Sequence, residues 1–323
     1  MFIAIRFAAP LQRGLLGISF AIFVTALNVV GAWAEPTAAQ TTYATADDAV
    51  AALIAALTAD DTAALHRIFG PGSDGLISSG DALDDKHRRE MFLAAYNEQH
   101  KLVPVSDDRI LLNVGKSDWP MPIPVVKDGA LWRFDTAAGA QEVIDRRIGR
   151  NEIAAIRVAL FYTDAQKDYF ERIKQATGSG EYAQRLLSTP NKHDGLYWPA
   201  GDGELESPLA PLINQAVDEG YPSEPVSGNR TPYQGYHFHV LRGQGAKAPG
   251  GARDYLTGGK MSGGFALIAW PATYGVSGIM TFVVDQDGVV FQKDLGEQTP
   301  ALAAAVTLFD PDISWARVDV TDN

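Results

Sequence analysis

Cysteine is absent from this chain of 323 residues. That one absence excludes disulfides, thiolate nucleophiles, iron–sulfur clusters and cysteine-ligated zinc. Positive charge is scarce too: 27 Lys and Arg stand against 39 Asp and Glu, a formal net charge of −12. An acidic surplus of this size argues against nucleic acid and anionic lipid head groups as partners. Long apolar runs are confined to the first thirty residues, and no later stretch approaches transmembrane length. No repeat of domain size breaks the chain into copies.

The N-terminal run carries an address. Arg6 and Arg13 precede apolar Gly14–Val30, and Ala32-Trp33-Ala34 places small residues where a signal peptidase reads them. The pattern predicts a signal peptide (residues 1–34) cleaved after Ala34, hence a periplasmic or secreted protein. An uncleaved anchor is the other reading of the same run. Cleavage removes two arginines and no acid, leaving a still more acidic chain that must rely on core packing.

Residues 35–44 read as a poorly ordered Thr/Ala/Gln linker. A first helix is expected near Asp47 or Asp48, with Val50, Leu53, Ile54 and Leu57 on one face. Asp60-Asp61-Thr62 marks a fresh cap, and Gly70-Pro71-Gly72 a stop. A third helix should follow Asp81–Asp85, with Met91, Phe92, Ala95 and Tyr96 inward and Lys86, Arg88, Arg89 and Glu90 outward. The period then falls from 3.6 to 2. Arg109–Val114 and Pro122–Lys127 read as strands, and Asp128-Gly129 turns into a third, Leu131–Asp135. This order, ending in "DGALWRFD", resembles the nuclear transport factor 2-like fold over residues 45–138, which implies a cone-like curved antiparallel sheet behind helices.

After an interdomain junction at residues 139–149, Arg146–Lys174 reads as one long amphipathic helix. Ile153, Ile156 and Leu160 form its stripe, widened by Val158, Phe161, Ala165 and Tyr169, and Gly178-Ser179-Gly180 ends it. A compact helix capped by Ser207 presents Leu209, Leu212, Ile213 and Val217. Four strands are expected at 235–241, 263–270, 278–285 and 289–294, the last two joined at Asp287-Gly288. The glycine-rich stretch 243–259 lacks the order of a phosphate loop and reads as a long mobile connection. A short helix at 300–308 and an anchor at Trp315 close the chain.

Asn151-Glu152, Ala165-Gln166, Tyr169, Gly275, Gly278, Thr281-Phe282 and Asp287-Gly288 resemble the globular part of type IV pilin-like and pseudopilin proteins. That resemblance implies a helix lying across a four-stranded antiparallel sheet over residues 150–323. The stem glutamate and prepilin motif of a pilin are missing, so only the fold is implied. Taken whole, "FGPGSDGLISSGD", "DWPMPIPVV", "RRIGRNE", "KHDGLYWP" and "GGFALIAWPATYGVSGIMTF" resemble the bacterial exported domain-of-unknown-function family 2950. No activity comes with that resemblance. The fold class expected is α+β in two domains.

His237 and His239 are the best metal-like pair, because i and i+2 on a strand share a face. His193 in the aromatic loop would be a third ligand, with zinc or a similar ion as cofactor. A half-buried strand with polar residues outward produces the same spacing. Three tryptophans, Trp119, Trp198 and Trp270, precede proline. Tyr197, Trp198 and Trp270 would form an aromatic binding platform, or else rigid packing where the backbone is already extended. Ser277 lacks a nucleophile elbow, Asp285 and Asp287 lack a calcium loop, and Glu204 and Glu206 read as solvated. No catalytic residue is therefore assigned, and no cofactor is required. Arg146, Arg147 and Arg150 read as an interdomain salt-bridge cluster or a docking patch. The function expected is a non-catalytic binding or assembly module for protein or envelope polymer. A metal-dependent or hydrolytic enzyme using His193, His237 and His239 is one alternative, and a carrier of small apolar ligands in the N-terminal cone is another.

Overall fold

In the computed structural model, which describes residues 39–201, 203–222 and 231–319, the first helix owes its start to two reciprocal hydrogen bonds. The Thr45 hydroxyl accepts from the Asp48 amide, and the Asp48 carboxylate accepts from the Thr45 amide, a capping box that satisfies two orphan donors. The cap is thus Thr45, with Asp48 as its partner. Helix α1 (Ala46–Thr58) is followed by α2 (Thr62–Phe69) behind an Asp61 cap, the short α3 (Asp74–Ile77), and α4 (Ala82–Glu98) behind an Asp81 cap. The strands β1 (His100–Ser106), β2 (Arg109–Val114), β3 (Trp119–Pro120), β4 (Val125–Asp128) and β5 (Leu131–Phe134) form an antiparallel sheet. Its order is β1-β2-β4-β5, with β3 also paired to β2. Leu53, Leu65, Phe69, Leu112, Ile123 and Phe134 fill the core between helices and sheet.

The expected linker is tied down over its described part. The Gln40 side chain donates to the Ile68 and Phe134 carbonyls, at 2.9 and 2.7 Å. Tyr43 exchanges backbone hydrogen bonds with Trp132, extending the edge of the sheet beyond β5. Residues 39–44 therefore close the N-terminal core. The expected signal segment, residues 1–34, lies outside the described residues.

Helix α5 (Thr136–Thr177) runs 42 residues without a break, ~63 Å at 1.5 Å per residue, and ends on left-handed Gly178. It begins ten residues before the expected start, so residues 139–149 are helical. Its buried stripe agrees with the expected one at Ala165 and Tyr169, with Ile156, Leu160 and Phe161 partly buried against the core, but it is centred elsewhere. Asn151, Ala155, Ala159, Tyr162, Gln166 and Tyr169 face inward, whereas Ile153 is 52% exposed. Alanines on that face let the helix axis come close to the sheet, which bulkier residues would prevent.

The second sheet has five strands, one more than expected. Its strands lie in the order Ala316–Arg317, Val290–Asp294, Met280–Asp285, Ala266–Pro271 and Tyr236–Leu241, all antiparallel. After α6 (Ala210–Asp218) comes β6 (Tyr236–Leu241), followed by the small ribbon β7 (Gly243–Gln244) with β8 (Arg253–Asp254). The pair β9 (Leu256–Thr257) with β10 (Lys260–Met261) comes next. Then β11 (Ala266–Pro271), β12 (Met280–Asp285), β13 (Val290–Asp294), α7 (Thr299–Ala305) and edge strand β14 (Ala316–Arg317) complete the chain. Strand β11 is buried along its whole length, covered by α5 and α7. The glycine-rich stretch is built rather than loose. Gln244 donates to the Pro249 and Gly251 carbonyls, and Asp310 accepts from the Lys247 and Ala248 amides. Helix α6 carries no side-chain cap hydrogen bond. Leu209 stands at its cap position, two residues beyond the expected Ser207, and Val217 is exposed. Among the described residues, no helix is long and apolar enough to cross a membrane.

Two glycines of α5 give opposite expectations. At Gly139 the helix lies against β4's approach, where a Cβ would run into the Pro122 carbonyl. Alanine favours a helix by about 1 kcal/mol, but overpacking against rigid backbone costs about 1–3 kcal/mol. Gly139→Ala should therefore lower the urea midpoint. At Gly149 nothing lies within 4 Å of the added methyl, and Gly149→Ala should raise it by up to about 1 kcal/mol of stability. A matched rise for both would contradict the close approach at residue 139.

Burial pushes the Asp285 carboxyl up to about 6, with Asp287 adding to it and the Asp287 amide opposing. Folding thus favours the protonated form. The stabilising contribution is full below about pH 4 and is lost as pH rises through 6. Asp285→Asn should gain most over the parent at pH 7 and above, and the gain should shrink as pH falls to 4.5. Urea melts across that range check it, and a pH-independent difference would refute it.

Candidate functional site

The residues singled out for metal binding are not grouped. His193 is exposed and stacks on Trp198, ring centroids 4.4 Å apart. His237 and His239 lie on β6, opposite Trp270 and Ile268 of β11, and the His237 ring stands 5.5 Å from the Trp270 ring. Among the described residues, no three His, Asp or Glu side chains form a set that could hold a metal ion. The histidines at 193, 237 and 239 therefore do not make a three-ligand centre.

The aromatic residues are likewise employed in packing. Trp198 and Trp270 are both buried in the C-terminal core, and Trp198 meets Tyr169 edge-on. Tyr197 is half-buried and exchanges backbone hydrogen bonds with the Leu186–Ser188 segment. Ser277 is fully buried in the bend before β12, where its hydroxyl donates to the Thr273 carbonyl and accepts from the Thr273 amide. Its role is to hold that bend.

The arginines make a junction, though mostly not of ion pairs. Arg146 pairs with Glu142 one turn back and lies over the Trp119 ring. Arg147 is buried and donates to the Gly75 and Leu76 carbonyls, at 2.6 and 2.8 Å. It thereby satisfies the carbonyls of α3, a helix too short to satisfy them itself. Arg150 is exposed, with no hydrogen bond or ion pair among the described residues. The expected salt-bridge cluster thus reduces to one pair, because backbone carbonyls lie nearer to Arg147 than any carboxylate does.

A site not anticipated lies between α5 and α6. A cavity of about 330 Å³ is walled by Val158 and Tyr162 of α5, Leu212 and Ile213 of α6, and Phe238 and Leu267 of the sheet. A second hollow of about 310 Å³ shares Val158, Leu212 and Tyr233 with it and adds Arg157, Gln215 and Gln234. Together they make one groove, apolar at one end and polar at the other. Tyr197, Trp198 and Trp270 line neither part.

A buried carboxylate fixes the floor at Tyr221. The Tyr221 hydroxyl donates to Asp81 at 2.7 Å and accepts from the Gln234 amide at 3.0 Å. Asp81 also takes the Gly235 amide and caps α4. Burial raises the Asp81 carboxyl, opposed by the Gly235 and Tyr221 hydrogen bonds, and burial and Asp81 together raise the Tyr221 phenol. Asp81 thus stitches the helix of one core to the groove of the other. The sequence shows the apolar face of α6, Leu209, Leu212, Ile213 and Val217, but not what that face meets. Leu212 and Ile213 pack partly against the core and also wall the cavity, beside the buried Leu209.

No curated protein and no solved structure matches this chain. A family model described as a protein of unknown function (DUF2950) matches residues 40–318, which takes in both cores and the groove between α5 and α6. The chain belongs to that family.

Proposed function

We propose that this chain is an exported, non-catalytic binding module that takes a segment of a partner protein in the groove between α5 and α6. The groove itself carries the reading: an apolar cavity continued by a polar hollow across shared walls. Such a site suits a side chain that anchors in the apolar end while flanking polar groups meet Arg157, Gln215 and Gln234. Arg157 is exposed and makes no ion pair among the described residues, which favours an acidic residue beside the anchor. A protein partner is favoured over an envelope polymer, because Trp198 and Trp270 are buried and leave no open platform for sugar rings. The signal-peptide pattern at residues 1–34 supports export. The pilin-like resemblance of residues 150–323 implies only a fold, a helix laid across an antiparallel sheet, and does not bear on the partner.

Selection of displayed peptides on the full chain tests this directly. Enriched peptides should carry a bulky apolar residue with an acidic neighbour. Leu212→Asp should weaken them at least tenfold, as expected when about 1.5–3 kcal/mol of apolar burial is lost. Arg157→Glu should remove the acidic preference while keeping the apolar one. Failure to enrich any peptide, or unchanged binding by Leu212→Asp with the fold retained, would overturn the proposal.

A further inference from the structure

The N-terminal core is not fully packed. A cavity of about 190 Å³ lies within it, lined by apolar Leu53, Leu57, Phe69, Phe92, Met121 and Ile123. Its charged lining is unusual for so acidic a protein. Arg88 and Arg89 come from α4, Arg147 and Arg150 from α5, and only Asp85 opposes them on the wall.

Each charge can be traced to its partner. Arg88 pairs with Asp84 at 3.0 Å and Arg89 with Asp60 at 2.9 Å. Arg147 sits in the field of Asp85 and Asp84 while donating to carbonyls. Asp85 accepts from the Ser79 amide at 2.8 Å. Four guanidiniums thus face three carboxylates, those of Asp60, Asp84 and Asp85, and the positive charge left over is Arg150. Partial burial and the charge of Arg88, then of Arg147 and Arg146, push its guanidinium down, with Asp84 opposing. An anion at this position would relieve that repulsion.

Arg89 shares the wall but is already held by Asp60 and the Ile77 carbonyl, so the open guanidinium of the cavity is that of Arg150. The guanidinium fork matches a planar carboxylate better than a point anion.

We propose that this cavity binds a short amphiphile with a single carboxylate head, its tail among the leucines and phenylalanines and its head at Arg150. Size limits the tail. A cavity of ~150 Å³ is enough for benzene, and at roughly 30 Å³ for a small group this one takes about six carbons inside. A saturated acid of six to eight carbons fits, the last groups reaching the mouth. The site lies on the opposite core from the peptide groove and does not depend on it.

Calorimetric titration of the full chain with octanoate and with octanol is the test. Octanoate should bind with one-to-one stoichiometry, and octanol at least tenfold more weakly. Arg150→Gln, at an exposed position, should melt like the parent and bind octanoate at least tenfold more weakly while leaving octanol unchanged. Raising the salt concentration should weaken octanoate more than octanol. Equal affinity for acid and alcohol would overturn the assignment of the head group. No octanoate binding at millimolar concentration would overturn the site, and so would undiminished binding by Arg150→Gln.

Discussion

Everything in this fold depends on how α5 is held where it passes from one core to the other. Within two turns of helix, Arg147 reaches two carbonyls of α3, Asn151 donates to the Ser277 carbonyl, and the Glu152 carboxylate takes the amides of Ile279 and Met280. The two amides at the start of β12 meet one carboxylate oxygen at 3.0 Å each, an arrangement stronger than a neutral hydrogen bond. Its effect is to set both the height and the rotation of the helix against the sheet. With the rotation set, Ala155, Ala159 and Tyr162 must face inward, and Tyr162 reaches the Ala266 carbonyl. A helix of this length would otherwise be free to roll on a sheet of apolar side chains.

Much of the architecture was legible because periodicity reports burial. The four long strands of the second sheet fell where alternation and turn residues put them, and Gly178 ended the spine helix as expected. What escaped was governed by partners distant in sequence. Strand β14 has only two residues, too few to show a period, and exists because β13 offers it an edge. Residues 139–149 begin and end on glycines that argue locally against a helix, yet the helix runs through them, tied to α3 by Arg147. On α4 Phe92, Ala95 and Tyr96 pack against the core as expected, but Met91 is 52% exposed, and Asp84 and Asp85, which belong to neither expected face, are buried. Asp84, which pairs with Arg88, and Asp85, which accepts the Ser79 amide, are core residues whose charge hides this from any reading of hydropathy.

The candidate sites followed the same rule. Asn151 and Glu152 stood out as a motif, and the structure shows why such a pair is useful: both tie the helix to one bend. Of the tryptophans before proline, Trp198 and Trp270 are buried in the core, whereas Trp119 is exposed beside Arg146. The arginines were noticed as a cluster, but which one lacked a counter-charge could be learned only from the positions of Asp60, Asp84 and Asp85. The groove beside α6 left no motif at all, because an apolar face looks the same whether it meets a core or a hollow.

The single unbroken rod also has a mechanical meaning. Arg147 and Arg150 form part of the N-terminal cavity, while Ala154, Arg157 and Val158 form part of the groove, and only about one helical turn separates Arg150 from Ala154. Both hollows therefore borrow a wall from the same few turns. The ties at Asn151 and Glu152 lie between the two walls, so the rod is pinned where one hollow gives way to the other, and whatever loosens those ties moves a wall of each.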